Sequence, residues 1–223
     1  MKLLNLRVTS LLSLVLIATQ ITFTSKVLAQ SSRYPTEEEL QRLSQEFEED
    51  IIPKMRRTRQ YGNGQRSPLL NSFVIEWSKV DPEASFFLGL WNKTVTNIMI
   101  YPSSLKGRVC VIRTLPSRSS RSTPQVDISF GQGNVVNGML RVKTLGWYGK
   151  NDITETVFIR NGNYMGTVSV DEGKTFLMPF SSFSDPLRPI ESLQLSNSSE
   201  ARKVIKQFYA LGCTSSLPKK PRI

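Results

Sequence analysis

The sequence predicts an α+β fold: an antiparallel β-sheet or partly closed barrel, flanked by an N-terminal and a C-terminal helix. Three observations lead there. Short runs rich in aromatic and β-branched residues, punctuated by Gly, Pro and Asn, fill residues 71–180. Within them Asn161-Gly162 separates two alternating runs, a strong local hairpin signal. On either side of that stretch, residues 37–51 and 201–211 place apolar side chains at spacings of three and four, the period of a helix face.

The chain opens Met1-Lys2-Leu3-Leu4-Asn5-Leu6-Arg7, a short positive segment, and continues with an apolar stretch from Leu11 to Phe23. That stretch is shorter than the roughly 20 residues of a membrane-spanning helix. Val27-Leu28-Ala29 then puts small or tolerated side chains ahead of Gln30, which predicts a signal peptide at 1–29 cut after Ala29. An uncleaved N-terminal anchor is the alternative. No Cys lies near the cut to carry a lipid, and no later segment is long and apolar enough to span a bilayer. The expected location is outside the cytoplasm, in a periplasm or the extracellular space. The expected organisation is a signal peptide at 1–29, an N-terminal helix and basic linker at 30–66, and a single β-rich domain with its C-terminal helix at 67–223.

Removing residues 1–29 leaves 194 of the 223, enough for one compact domain. Loss of Lys2, Arg7 and Lys26 lowers the formal net charge from +11 to +8. A basic exported chain favours anionic partners such as lipid headgroups, acidic polysaccharide or an acidic protein face; nucleic acid is not expected there. Cys110 and Cys213 are the only two cysteines, and in an oxidising compartment such a pair predicts a disulfide rather than two thiols.

The N-terminal helix begins at Thr36-Glu37-Glu38-Glu39, a capping-box pattern with acids at the positive end of the helix dipole. Leu40, Leu43, Phe47 and Ile51 form its apolar stripe, and Pro53 is expected to end or kink it. The charge then reverses. Lys54, Arg56, Arg57, Arg59 and Arg66 fall in a stretch without acids that includes Tyr61-Gly62-Asn63-Gly64-Gln65, which predicts an exposed basic linker.

Strands are expected at Phe73 to Trp77, Phe86 to Trp91 and Thr94 to Tyr101. Val109-Cys110-Val111-Ile112 is apolar on both faces and predicts a central strand covered on both sides. A loop at 116–124 carries Arg118 and Arg121. Val126 to Phe130 and Val135 to Leu145 follow as strands, with Gly131-Gln132-Gly133-Asn134 as the turn between them. Thr154 to Arg160, a type I′ turn at Asn161-Gly162, Tyr164 to Val170, a turn at Asp171 to Lys174, and Thr175 to Phe180 make a meander. The last helix is capped by Ser198 or Ser199, buries Ala201, Val204, Ile205, Phe208 and Leu211, and ends at Gly212. Cys213 follows at once, so the disulfide would pin that helix end to the central strand. The tail holds Lys219, Lys220 and Arg222.

The chain has no histidine. That excludes Ser-His-Asp and Cys-His nucleophile systems and imidazole-bound metals. There is no Walker A run, and Gly131-x-Gly133 has the wrong spacing for a dinucleotide loop. No cofactor or metal is expected; the loop acids Asp171 and Glu172 lack calcium-loop spacing. Two S-x-x-K matches, Ser103 with Lys106 and Ser216 with Lys219, survive the histidine test but lack the supporting elements of that chemistry. Glu76, Asp81, Glu83, Asp127, Asp152 and Glu155, with Trp77, Trp91, Trp147 and Tyr148, are the material for a carboxylate-pair glycan hydrolase. An ordinary half-buried sheet has the same residues. The expected function is therefore an exported, non-catalytic protein that binds or scaffolds through a basic surface at Lys54, Arg56, Arg57, Arg59, Arg66, Arg118 and Arg121. A histidine-free hydrolase, carboxylate-based or Ser-Lys-based, is the alternative.

Overall fold

The structure, a computed structural model, describes residues 34–58, 66–93, 96–116, 126–145, 153–171, 174–182, 190 and 199–218. The expected signal peptide, most of the 116–124 loop, Glu172-Gly173 and the tail from Lys219 lie outside the described residues. Eight strands follow one another: β1 Gly89–Lys93, β2 Thr96–Pro102, β3 Arg108–Pro116, β4 Val126–Val136, β5 Met139–Leu145, β6 Ile153–Asn161, β7 Tyr164–Asp171 and β8 Lys174–Ser182. Their order in the sheet is their order in the chain. β1 also pairs antiparallel with β8, Trp91 opposite Ser182 and Asn92 opposite Ser181, so the curled sheet closes on itself.

Period-two alternation sorts each strand into an inner and an outer face. Ile98 and Ile100 of β2, Val109 and Val111 of β3, Leu140 and Val142 of β5, and Phe158 of β6 form the inner core. Met99, Tyr101, Cys110, Ile112 and Phe130 point outward and pack against Val204 and Phe208 of the last helix. Residues 109–112 are all buried, as a doubly covered strand requires.

The helices are α1 Glu37–Glu46, a π-helical turn Phe47–Ile51, α2 Ile52–Thr58, α3 Pro68–Ser78, α4 Pro82–Phe87 and α5 Ser199–Ala210. The capping box is formed: Thr36 Oγ1 accepts the Glu39 N–H at 3.2 Å, and Glu39 Oε2 accepts the Thr36 N–H at 2.9 Å. Pro53 does not end the helix. The π turn, in which the Ile52 N–H reaches back to the Phe47 carbonyl, widens the helix just ahead of the proline and lets it pass. Glu37 ion-pairs with Arg141 of β5 and Arg56 stacks 5.7 Å over Tyr164 of β7, which lays α1 and α2 along the outer face of those strands.

Two expected strands are helices. Phe73 to Trp77 lies in α3 and Phe86-Phe87 ends α4; only Gly89 to Trp91 is strand. Local start signals outweigh β-propensity at both sites. Ser67 Oγ accepts the Leu70 N–H at 3.1 Å with Pro68 in the first turn, and Asp81 Oδ1 accepts the Ala84 N–H at 3.1 Å with Pro82 in the first turn. Gly131 to Asn134 is not a turn: β4 runs straight through it, and the reversal comes at Asn137-Gly138, both at positive φ. Gly133 faces inward, where an added Cβ would lie 2.7 Å from Leu140 Cδ1 and 2.8 Å from Val142 Cγ2. The Asn161 hairpin forms one residue later than expected: Asn161 pairs with Tyr164, and Gly162 takes the positive φ.

Asp81 is 5% exposed, and its Oδ2 also accepts the Gly107 N–H from the β2–β3 turn. One carboxylate thus caps α4 and ties it to the barrel. Asp81→Ala is expected to cost about 2–3 kcal/mol, a lost cap plus a lost charged hydrogen bond, read as a lower urea midpoint.

Behind α5, Gly212 takes φ +67°, and Cys213 bonds to Cys110 with their Cα atoms 6.0 Å apart. The segment lies on the end of β2. The Ser104 N–H donates to the Gly212 carbonyl at 2.9 Å, the Thr214 N–H to the Pro102 carbonyl at 3.1 Å, and Ser103 Oγ to the Leu211 carbonyl at 2.9 Å.

Candidate functional site

The strand directions give the barrel two unlike ends. Trp77 of α3 and Phe87 of α4 join the inner core with Val109, Leu140 and Met165, so these helices plug one end. Further from the plug the barrel interior holds a narrow pocket that opens to solvent. Ile98, Val111, Val142, Phe158, Met178 and Phe180 form its apolar wall. Arg113, Thr156, Thr167 and Ser169 add a few polar groups. The alternation places them: Arg113 is two residues beyond Val111 on β3, Thr156 two before Phe158 on the oppositely running β6, and Ser169 two beyond Thr167 on β7. All three therefore sit on the side away from the plug. Thr167 Oγ1 donates to the Met178 carbonyl at 3.5 Å.

A second cluster sits at the plugged end. Arg160 follows Phe158 on the inner face of β6, and its guanidinium carbon lies 4.3 Å from the Phe86 ring centre and 5.2 Å from that of Trp91. The Arg66 guanidinium carbon lies 5.9 Å from the same Trp91 ring. Backbone carbonyls hold all three side chains. Arg160 Nε donates to Gly162 O at 2.7 Å, Arg66 Nη2 to Leu88 O at 3.2 Å, and Trp91 Nε1 to Phe87 O at 3.0 Å. Arg66 Nε and Arg160 Nη1 are buried without an acceptor. Burial, and then the Arg66 cation, push the Arg160 guanidinium down to about 8, and burial pushes Arg66 down to about 10. Since guanidinium delocalisation keeps arginine charged in proteins, these shifts register an uncompensated pair of cations rather than neutral side chains.

Of the expected basic surface, Lys54, Arg56, Arg57 and Arg66 are described. Lys54, Arg56 and Arg57 are exposed on α2 rather than in a linker, with Lys54 3.3 Å from Asp50. Arg66 turns inward, its guanidinium carbon 5.9 Å from the Trp91 ring centre. Arg59, Arg118 and Arg121 lie outside the described residues.

Among the described residues the hydrolase candidates do not come together. Ser103 is 4% exposed, and its hydroxyl is committed to Leu211 O and the Leu105 N–H. Ser216 is exposed, and Lys219 lies outside the described residues. Glu76 pairs with Lys79 on α3, Asp81 is a helix cap, and Glu83 and Glu155 are exposed. The side chain of Asp127, and Asp152, Trp147 and Tyr148 altogether, are outside the description. Trp77 and Trp91 are core residues, their indole N–H groups bound to Ser216 O and Phe87 O. Among the described residues no group of three or more His, Cys, Asp or Glu could hold a metal ion, and no helix is long and apolar enough to cross a membrane.

Arg113 and Arg160 were not among the expected functional residues. Their signal was present: each stands two places from an apolar inner-face residue, so strand alternation alone points both into the barrel. The chain matches no protein-family model, no curated protein and no solved structure.

Proposed function

We propose that this chain is an exported, non-catalytic binding protein whose barrel takes up a small, largely apolar molecule. The observation that carries this is the cavity inside the barrel, walled by Ile98, Val111, Val142, Phe158, Met178 and Phe180. Eight strands close a barrel just wide enough either to be filled by side chains or to hold one small ligand. Apolar walls with a few placed polar groups are the usual form of a small-molecule site. Arg113, Thr156 and Ser169 at the end away from the plug would favour a ligand with a polar or anionic head and an apolar body.

Export rests on the leader at 1–29. Docking to an anionic surface, whether lipid headgroups, acidic polysaccharide or an acidic protein, rests on the exposed Lys54, Arg56 and Arg57. The non-catalytic reading rests on the commitments of Ser103 and Asp81, whose polar atoms are occupied by backbone partners.

Titration with 1-anilinonaphthalene-8-sulfonate, an apolar fluorophore with one anionic group, tests the reading. Saturable binding of one dye per chain is expected, weakened at least tenfold in Val142→Phe, which fills the cavity while circular dichroism stays unchanged. Equal affinity in the filled variant would place the dye elsewhere and contradict the reading.

A further inference from the structure

We propose that Arg66 and Arg160, at the plugged end of the barrel, form a binding site for a compact dianionic oxyanion of the phosphate or sulfate type. The site is independent of what the cavity holds.

The two guanidinium groups approach one aromatic ring, at 5.9 and 5.2 Å from the Trp91 centre. Among the described residues neither makes an ion pair with a carboxylate. The acids that do pair, Glu37, Glu46, Asp50 and Glu76, are taken by Arg141, Arg42, Lys54 and Lys79. Like charges brought together away from water repel more strongly than in solvent, and folds ordinarily relieve them with a counter-ion. Stacking on Trp91 and Phe86 accounts for the position of each group, yet it neutralises neither.

Each guanidinium also has donors left over. Hydrogen bonds to Leu88 O and Gly162 O anchor one nitrogen of each guanidinium. Arg66 Nε and Arg160 Nη1 remain buried and lack an acceptor. A planar fork already held by one bond loses little freedom on binding, and oxyanions accept from such forks in pairs. Two fixed cations match two negative charges, which selects a dianion over a single carboxylate. Phe86, 42% exposed above Arg160, places the cluster near the surface rather than deep in the core.

The test uses the full chain at constant ionic strength, adjusted with sodium chloride. Inorganic phosphate and sulfate are each expected to raise the melting temperature saturably, as any ligand selective for the folded state does. Acetate at the same ionic strength should give no saturable rise. Arg160→Met should remove the phosphate response, and Arg160→Lys, which keeps charge but not the fork, should weaken phosphate by about tenfold in calorimetric titration. Arg202→Gln, exposed on α5, should leave it unchanged. The proposal is overturned if phosphate and sulfate give no saturable response, if the response survives in Arg160→Lys at full strength, or if acetate matches phosphate. Should Arg160→Met fail to fold, the lysine variant and the wild-type titration still decide the matter.

Discussion

Reducing the Cys110–Cys213 bond, or replacing it as Cys110→Ala with Cys213→Ala, is expected to lower the unfolding free energy by about 4 kcal/mol. The bond closes a loop with a sequence separation of 103. In the chain-entropy model a loop of about 100 residues stabilises the fold by about 4–5 kcal/mol, through the freedom it removes from the unfolded chain. The folded side adds to this. Cys110 is 0% and Cys213 4% exposed, between Tyr101, Ile112 and Phe208, so the pair also fills the outer core. The backbone bonds of Ser104 and Thr214 hold the same junction, which keeps the reduced chain folded under mild conditions. The check is a denaturant melt with and without reductant. A midpoint that does not move would remove the bond from the account of stability.

Gly133→Val is expected to cost about 3 kcal/mol or more, the upper range for overpacking a well-filled interior. The reason is space rather than backbone freedom. A Cβ there meets the Leu140 and Val142 side chains at 2.7 and 2.8 Å and the Arg141 carbonyl at 3.0 Å, all on the neighbouring strand. Relief requires the Leu140 and Val142 side chains to leave their positions and the Arg141 carbonyl to give, within the β4–β5 ladder that runs from Gly131 to Val136. The smaller change Gly133→Ala, combined with Val142→Ala, should cost less than the sum of the two single changes, because one clash is shared. Additive costs in thermal melts would show that the glycine matters for some other reason.

Local chemistry made much of the fold legible. The Thr36–Glu39 box, the doubly apolar run at 109–112, the hairpin near Asn161 and the Gly212-Cys213 ending each specify their structure within a few residues. Ser67-Pro68 and Asp81-Pro82 are equally local signals, set against the β-forming side chains of Phe73-Val74-Ile75 and Phe86-Phe87. A cap followed by proline fixes a helix start more firmly than three β-formers oppose it. Gly131 to Asn134 is the reverse case: glycine suggests a turn, yet Gly133 makes room for Leu140 and Val142 of the neighbouring strand.

The site was less legible because it is made by distant pairings. Nothing near Trp91 announces that it will face Ser182 and close the sheet. Arg66 and Arg160 meet at one ring only once that closure brings β6 beside the entry to α3. Alternation could have turned Arg113 and Arg160 inward, but the volume left between the walls depends on every inner side chain together.

Methyl-resolved NMR during titration with the same fluorophore tests the central claim most directly. If the barrel interior is the binding site, the shifts concentrate on the methyl groups of Ile98, Val111, Val142 and Met178, and those of Met99 and Val204 on the outer face stay in place. Shifts confined to the outer-face methyls, with the inner set unmoved, would contradict it.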